Sequence, residues 1–209
     1  MTLRSNKRRP LTRKEKKYRD DRLFIIATED TYCPTHYFDL FHNSRIHVHV
    51  LPTREGRSAP EHVLRRLNDY VEEHETMEED EFWLVLDTDH WTEPNHIASF
   101  SEVCTEASQK GFQSAHSNPC FELWLLLHLT DLDTNEQFAR CEEVVERLKA
   151  ILGGYSKKRG IDPTHFSPEA RILAVDRAEN LDGDSPSGDR WPQKTGSHVY
   201  RLVKKLLQQ

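Results

Sequence analysis

At 209 residues the chain has room for one α/β domain with modest extensions, but not for two full domains. Hydrophobic residues make up 36% and charged residues 31%, the balance of a soluble protein. No apolar run approaches the ~18–20 residues that a bilayer span requires, which excludes a membrane role. The basic N-terminus has no apolar h-region, so a secretory signal is not expected and a cytoplasmic location is. Cys33, Cys104, Cys120 and Cys141 are widely spaced with no C-x-x-C pair; they read as reduced thiols, not as a disulfide framework or a zinc cage.

The formal charge of −6 hides a division. Residues 1–19 carry nine basic residues against Glu15, a net of +8, which leaves −14 for residues 20–209. Such an arm can contact phosphate or serve as a solvated tail, whereas the body can meet phosphate only through local patches. The expected organisation is a flexible basic arm over residues 1–20 and a single domain over 21–209.

In chain order, Leu23-Phe24-Ile25-Ile26-Ala27-Thr28 is a short apolar run, as expected of a strand buried on both faces, and it ends at Glu29-Asp30. Pro34 opens a helix expected to reach His42. The alternation of residues 45–51 reads as a second strand, and Ser58-Ala59-Pro60 starts a helix running to about His74. Residues 72–81 hold seven acids, a solvated helix end and loop. Phe82-Trp83-Leu84-Val85-Leu86 is another buried strand, closing on Asp87-Thr88-Asp89. A helix is expected from about Pro94 to Lys110, stopped by Gly111, then a strand over 112–116. Asn118-Pro119 reads as N-cap and N1 of an apolar helix over 120–129. Further helices are expected at 135–151, ended by Gly153-Gly154, and near 167–180. A Gly/Asp/Ser/Pro-rich loop precedes the last helix, near 195–208.

Strands alternating with helices predict a mostly parallel sheet covered by helices, with a helical C-terminal extension. Ligands of such sheets sit beyond the carboxyl ends of the strands. Glu29 follows one strand and Asp87 and Asp89 follow another, so the three carboxylates are expected to meet at one sheet edge. Held together there they repel unless a cation joins them, and Mg²⁺ (or Mn²⁺) suits such ligands. Asp87 and Asp89 are the expected ligands, and Glu29 a third ligand or a general base. Phosphodiester hydrolysis calls for these parts: an oriented water, a base, and metal charge on the non-bridging oxygens.

The string Ser117-Asn118-Pro119-Cys120-Phe121-Glu122-Leu123-Trp124-Leu125-Leu126-Leu127-His128 resembles the signature of RloB-like proteins. Other features fall in the same order: the strand ending at Glu29 with Tyr37-Phe38 downstream, Asp87-x-Asp89, Gly154-Tyr155-x-Lys157, and Val199-x-x-Leu202-Val203. The resemblance covers about residues 22–207. It implies a Toprim-like fold with a metal site, and a place in phage-defence or abortive-infection loci beside a partner ATPase or other defence protein. The chain departs from the family pattern in having Asp30 where a Gly is usual, Pro34 where a second Glu is usual, and Gln193-Lys194 where Asn-Pro precedes the last helix.

Two more residues join the candidate site. Glu122 lies in an otherwise apolar helix, where a carboxylate is costly unless paired or metal-bound. Lys157 can neutralise developing phosphate charge, or belong to a basic loop. His128, six positions after Glu122, projects from another helix face and reads as a satisfied core histidine. His47 and His49 share a strand face and read as a polar surface. Trp83, Trp124, Phe121 and Tyr37 read as core. The function expected is a Mg²⁺-dependent endonuclease cleaving RNA, including tRNA, or DNA. The alternative is a non-catalytic nucleic-acid-binding or sensor subunit. Sequence leaves the oligomeric state open.

Overall fold

The apolar run that ends at Thr28 becomes β1 (Arg22–Thr28), hydrogen-bonded on both edges. Its neighbours are β2 (Ile46–Leu51) and β3 (Glu81–Asp87), both parallel to it. Beyond β3 lies β4 (Gln113–Asn118), also parallel, and the two-residue β5 (Gly196–Ser197) closes the order β2-β1-β3-β4-β5 in the antiparallel sense. The structure, a computed structural model, describes residues 21–41, 45–53, 57–89, 91–183 and 189–208. The basic arm and His42 therefore lie outside the described residues, as does part of the loop before the last helix.

Among the described residues, seven α-helices pack on these strands: α1 (Cys33–Phe38), α2 (Pro60–Glu73), α3 (Ile97–Gln109), α4 (Glu122–Leu129), α5 (Cys141–Leu152), α6 (Pro168–Asp182) and α7 (Val199–Leu207). The result is an α/β architecture, consistent with a Toprim-like fold. Strand alternation divides the core in two. Phe24, Ile26, Trp83 and Val85 point to the face covered by α1, α4, α5, α6 and α7. Ile25, Ala27, Leu84 and Leu86 point to the face covered by α2 and α3. Burial of each large side chain in these layers contributes roughly 1.5–3 kcal/mol. Tyr37, Trp83, Phe121 and Trp124 are buried core residues, and the helices of the C-terminal part supply much of the first core rather than standing apart from it. His47 and His49 are exposed on edge strand β2, with His47 Nε2 3.0 Å from Asp21 Oδ2. His128 is the satisfied core histidine expected: its Nδ1 donates to the Trp124 carbonyl at 2.9 Å, and its Nε2 accepts from Tyr37 Oη at 3.1 Å.

Several boundaries differ from the sequence expectation. Helix α1 stops at Phe38 and gives way to a 3-10 turn, Asp39–Phe41. Helix α3 begins at Ile97, because the chain after Asp89 turns first, with Trp91 N–H on Thr88 O at 2.9 Å and His96 N–H on Glu93 O at 2.9 Å. Asn118-Pro119 does not cap α4. Asn118 ends β4, its peptide to Pro119 is cis, and its side-chain amide donates to Pro192 O at 3.0 Å. Helix α5 starts at Cys141, not near 135, because residues 137 and 138 are held elsewhere: Gln137 Oε1 accepts Thr195 N–H at 3.0 Å and Phe138 N–H reaches Thr195 Oγ1 at 2.7 Å. Likewise β5 occupies residues where the last helix was expected to begin.

The cysteine reading needs correction. Cys120 and Cys141 form a disulfide, their Cα atoms 5.5 Å apart across 21 positions of sequence. Helix α5 packs on α4, and that packing brings the starts of both helices together. Cys33 and Cys104 are free and buried, as read.

Candidate metal centre

Strand register sets the site. Thr28 pairs with Val85 across β1 and β3, and the Glu29 N–H still reaches Val85 O, at 3.4 Å, so Glu29 leaves β1 beside the closing residues of β3. Arg66 of α2, itself buried, donates to Thr28 O and to Thr53 Oγ1 and so pins the end of β1. The Glu29 carboxylate is buried. Its Oε2 accepts the Trp91 indole N–H at 3.2 Å, while Oε1 is buried and meets no hydrogen-bond donor among the described residues.

Asp87 is the last residue of β3 and pairs with Ser117 of β4. Its Oδ1 accepts the Phe121 N–H at 2.8 Å, so this carboxylate, and not Asn118, satisfies a donor at the start of α4. The next two residues are tied to the same turn. Thr88 N–H and Oγ1 both reach Ser117 O, at 2.8 and 3.3 Å, and Asp89 N–H reaches Pro119 O at 3.1 Å. Asp89 itself is exposed.

Electrostatics mark Glu29 and Asp87 as one cluster. Burial pushes the Glu29 carboxyl well above the usual carboxylate range, and the charges of Asp87 and Asp89 push it further, against the Trp91 hydrogen bond. Burial likewise raises Asp87, reinforced by Glu122 and Asp89 and opposed by Lys157 and the Phe121 N–H. These are carboxylates held close in a poorly solvated place, the condition a divalent cation relieves.

Glu122 opens α4 and is fully buried. Lys157, from the 3-10 turn Lys157–Arg159, places Nζ 2.8 Å from Glu122 Oε1 and 3.0 Å from Asp30 Oδ2. Burial works against the lysine's charge, but those two carboxylates outweigh it and hold the ammonium protonated well above the ordinary range. Tyr155 Oη also donates to Glu122 Oε1, at 3.3 Å, and accepts from Cys33 Sγ at 3.1 Å. Asp30 does more than add charge. Its Oδ1 accepts the N–H groups of Tyr32 and Cys33, at 2.6 and 3.1 Å, which fixes the entry to α1, and Pro34 is buried in that helix's first turn.

All five residues singled out from sequence therefore belong to one region, with Lys157 linking Asp30 to Glu122 and the charges of both Glu122 and Lys157 felt at Asp87. Sequence reasoning missed Trp91, which carries no local signal, and the disulfide beside Glu122. The Glu29, Asp87 and Asp89 set fits a hard divalent cation: the donors are carboxylate oxygens, and the buried Glu29 Oε1 lacks a partner. As they stand these oxygens are more widely set than those of Cys120, Glu122 and Cys141, the one group of three such ligands among the described residues with donor atoms within 4.8 Å of one another.

Fold and site together define an α/β protein with acidic groups at the carboxyl edge of a parallel sheet, backed by a buried glutamate paired with a partly exposed lysine. The chain belongs to the RloB family: the family model, described as RloB-like protein, matches residues 24–206. No curated protein and no solved structure matches it. No helix among the described residues is long and apolar enough to cross a membrane.

Proposed function

We propose that this protein is a Mg²⁺- or Mn²⁺-dependent phosphodiesterase, an endonuclease of an anti-phage defence system that cleaves RNA, tRNA being one candidate, or DNA, with RNA favoured over DNA. The observation that carries this reading is the buried Glu29 carboxylate, its Oε1 without a donor, beside Asp87 and Asp89 at the ends of adjacent parallel strands. Glu29, Asp87 and Asp89 hold the cation. Once bound, the cation supplies positive charge to phosphate oxygens and makes a water molecule more acidic. Trp91 orients the Glu29 carboxylate, and the Phe121 N–H orients Asp87. Lys157 is fixed by Glu122 and Asp30, yet its side chain is 40% exposed, which leaves the ammonium within reach of an incoming phosphate. The basic arm adds affinity for nucleic acid through counterion release.

One observation favours a second reading, a non-catalytic nucleic-acid-binding or sensor subunit: the three carboxylates stand more widely set than a closed ligand cluster. Incubating the purified protein with labelled RNA and plasmid DNA, with Mg²⁺, with Mn²⁺ and with chelator, separates the two. Cleavage that needs the metal and disappears in Glu29→Gln and Asp87→Asn supports the enzyme. Binding without cleavage of either polymer supports the second reading.

A further inference from the structure

Glu122 Oε2 has an unusual neighbour. The Glu122 side chain is fully buried, and its Oε1 receives Lys157 and Tyr155, but Oε2 lies 3.4 Å from Cys141 Sγ. In the disulfide with Cys120 that sulfur carries no proton, so it presents lone pairs to a buried carboxylate oxygen. A buried oxygen that meets only another acceptor goes without the donor or cation that offsets desolvation. The unmet demand points directly at the two sulfurs.

We propose that the reduced Cys120–Cys141 pair and Glu122 Oε2 form a second metal site, one that takes a borderline-soft divalent cation of the Zn²⁺ type. Three observations converge on it. Glu122 Oε2 lies within 4.8 Å of both sulfurs, which the disulfide itself holds together. Two thiolates and a carboxylate match the ligand preferences of Zn²⁺, with one position left for water, whereas they suit Mg²⁺ poorly. Cys141 is the first residue of the twelve-residue α5, where the helix terminus favours anionic character, and it is only partly buried, which gives an ion a way in.

The chemistry balances. A dithiol reductant supplies two electrons and two protons to the S–S bond, yielding two thiols and its own disulfide. Zn²⁺ then displaces both thiol protons to solvent, and the two thiolate charges cancel those of the ion. The Glu122 charge remains matched by Lys157 through Oε1, so the site forms without breaking that pair.

Cobalt(II) is the probe, because thiolate-to-Co²⁺ charge-transfer absorption reports sulfur ligation and cannot arise from Glu29, Asp87 or Asp89. The full chain is reduced with a dithiol, the dithiol is removed, and Co²⁺ is titrated in. The expected result is one equivalent per chain with a near-ultraviolet charge-transfer band that Zn²⁺ displaces and the disulfide form lacks. Cys104→Ser, in the opposite core, keeps the band and Cys141→Ser loses it. Glu122→Gln weakens Co²⁺ binding about tenfold or more. A reduced wild-type chain without the band, or Cys141→Ser that folds and keeps it, overturns the proposal. Should Cys141→Ser fail to fold, the wild type decides alone: equal absorption in both redox forms, or none in either, overturns it. That readout does not depend on nuclease activity, so it stands or falls apart from the proposed function.

Discussion

Trp91 donates its indole N–H to Glu29 Oε2 at 3.2 Å, while the buried Glu29 Oε1 meets no donor among the described residues. One oxygen of the carboxylate is thus positioned, and the other is the free donor atom that the proposed function assigns to the cation. Satisfied structural carboxylates, such as Glu81 with Arg22 and Lys205 at the opposite edge of the sheet, show no such asymmetry.

Glu29→Gln should abolish cleavage while stabilising the metal-free protein. The folded carboxyl is raised by burial and by Asp87, so at neutral pH its ionised form opposes folding, and a neutral amide removes that opposition. Loss of a general base or ligand should cost at least about 10² in rate. Thermal melts in chelator and cleavage assays in Mg²⁺ check both halves; a lower melting temperature in chelator would contradict the burial argument.

Mg²⁺ or Mn²⁺ should raise the melting temperature of the wild type through binding to the native state. The paired substitution Asp87→Asn with Asp89→Asn should remove that rise. Calorimetric melts across a metal series test it, and an unchanged response in the double variant would place the ion elsewhere.

Lys157→Met should leave Glu122 buried without its counter-charge. The expected cost is about 3 kcal/mol, at the low end for a broken buried pair because the Lys157 side chain is 40% exposed and water can partly compensate. Adding Glu122→Gln should recover much of the loss. Urea unfolding of the two singles and the double gives the coupling, and strict additivity would mean that the pair contributes nothing.

Acid should destabilise the fold through two buried histidines. Burial pushes His116 and His128 down to about 3 each. Between that value and roughly 6.5, where an unfolded histidine titrates, the unfolded chain takes up protons that the folded chain refuses. Stability therefore falls as pH falls through this window, by about 1.4 kcal/mol per pH unit for each histidine. His128→Gln should cost stability at pH 7, where it loses ring packing against Trp124 and Phe166, but should flatten the pH slope by one proton. Unfolding midpoints at pH 7, 6 and 5 measure the difference.

Removing residues 1–19 takes away a net +8 from a protein whose remainder carries −14. Nucleic-acid binding should weaken and its salt dependence become shallower, while turnover of saturating substrate persists, since no carboxylate of the site lies in the arm. Labelled RNA and DNA titrated across a salt series, with and without the arm, should show this. Equal slopes would shift the phosphate contacts to patches such as Lys157–Arg159.

Local pattern alone determined the strands and the residues that end them. A run such as Phe24-Ile25-Ile26-Ala27 has no stable place except inside a sheet, and a carboxylate directly after it must emerge at that sheet's edge. Thus Glu29, Asp87 and Asp89 were legible, and so was the buried Glu122. Helix starts were less so, because long-range hydrogen bonds chose them: Phe121 N–H goes to Asp87, 34 positions away, and Phe138 N–H to Thr195, 57 positions away. Only the tertiary structure joined Lys157 to Asp30 and Glu122, and Cys120 to Cys141, since such pairings depend on how helices pack and leave no spacing in the chain. The sequence dictated which groups must leave water and which must stay near it. Packing of α4, α5 and the turn after α5 against the sheet decided which of those groups meet.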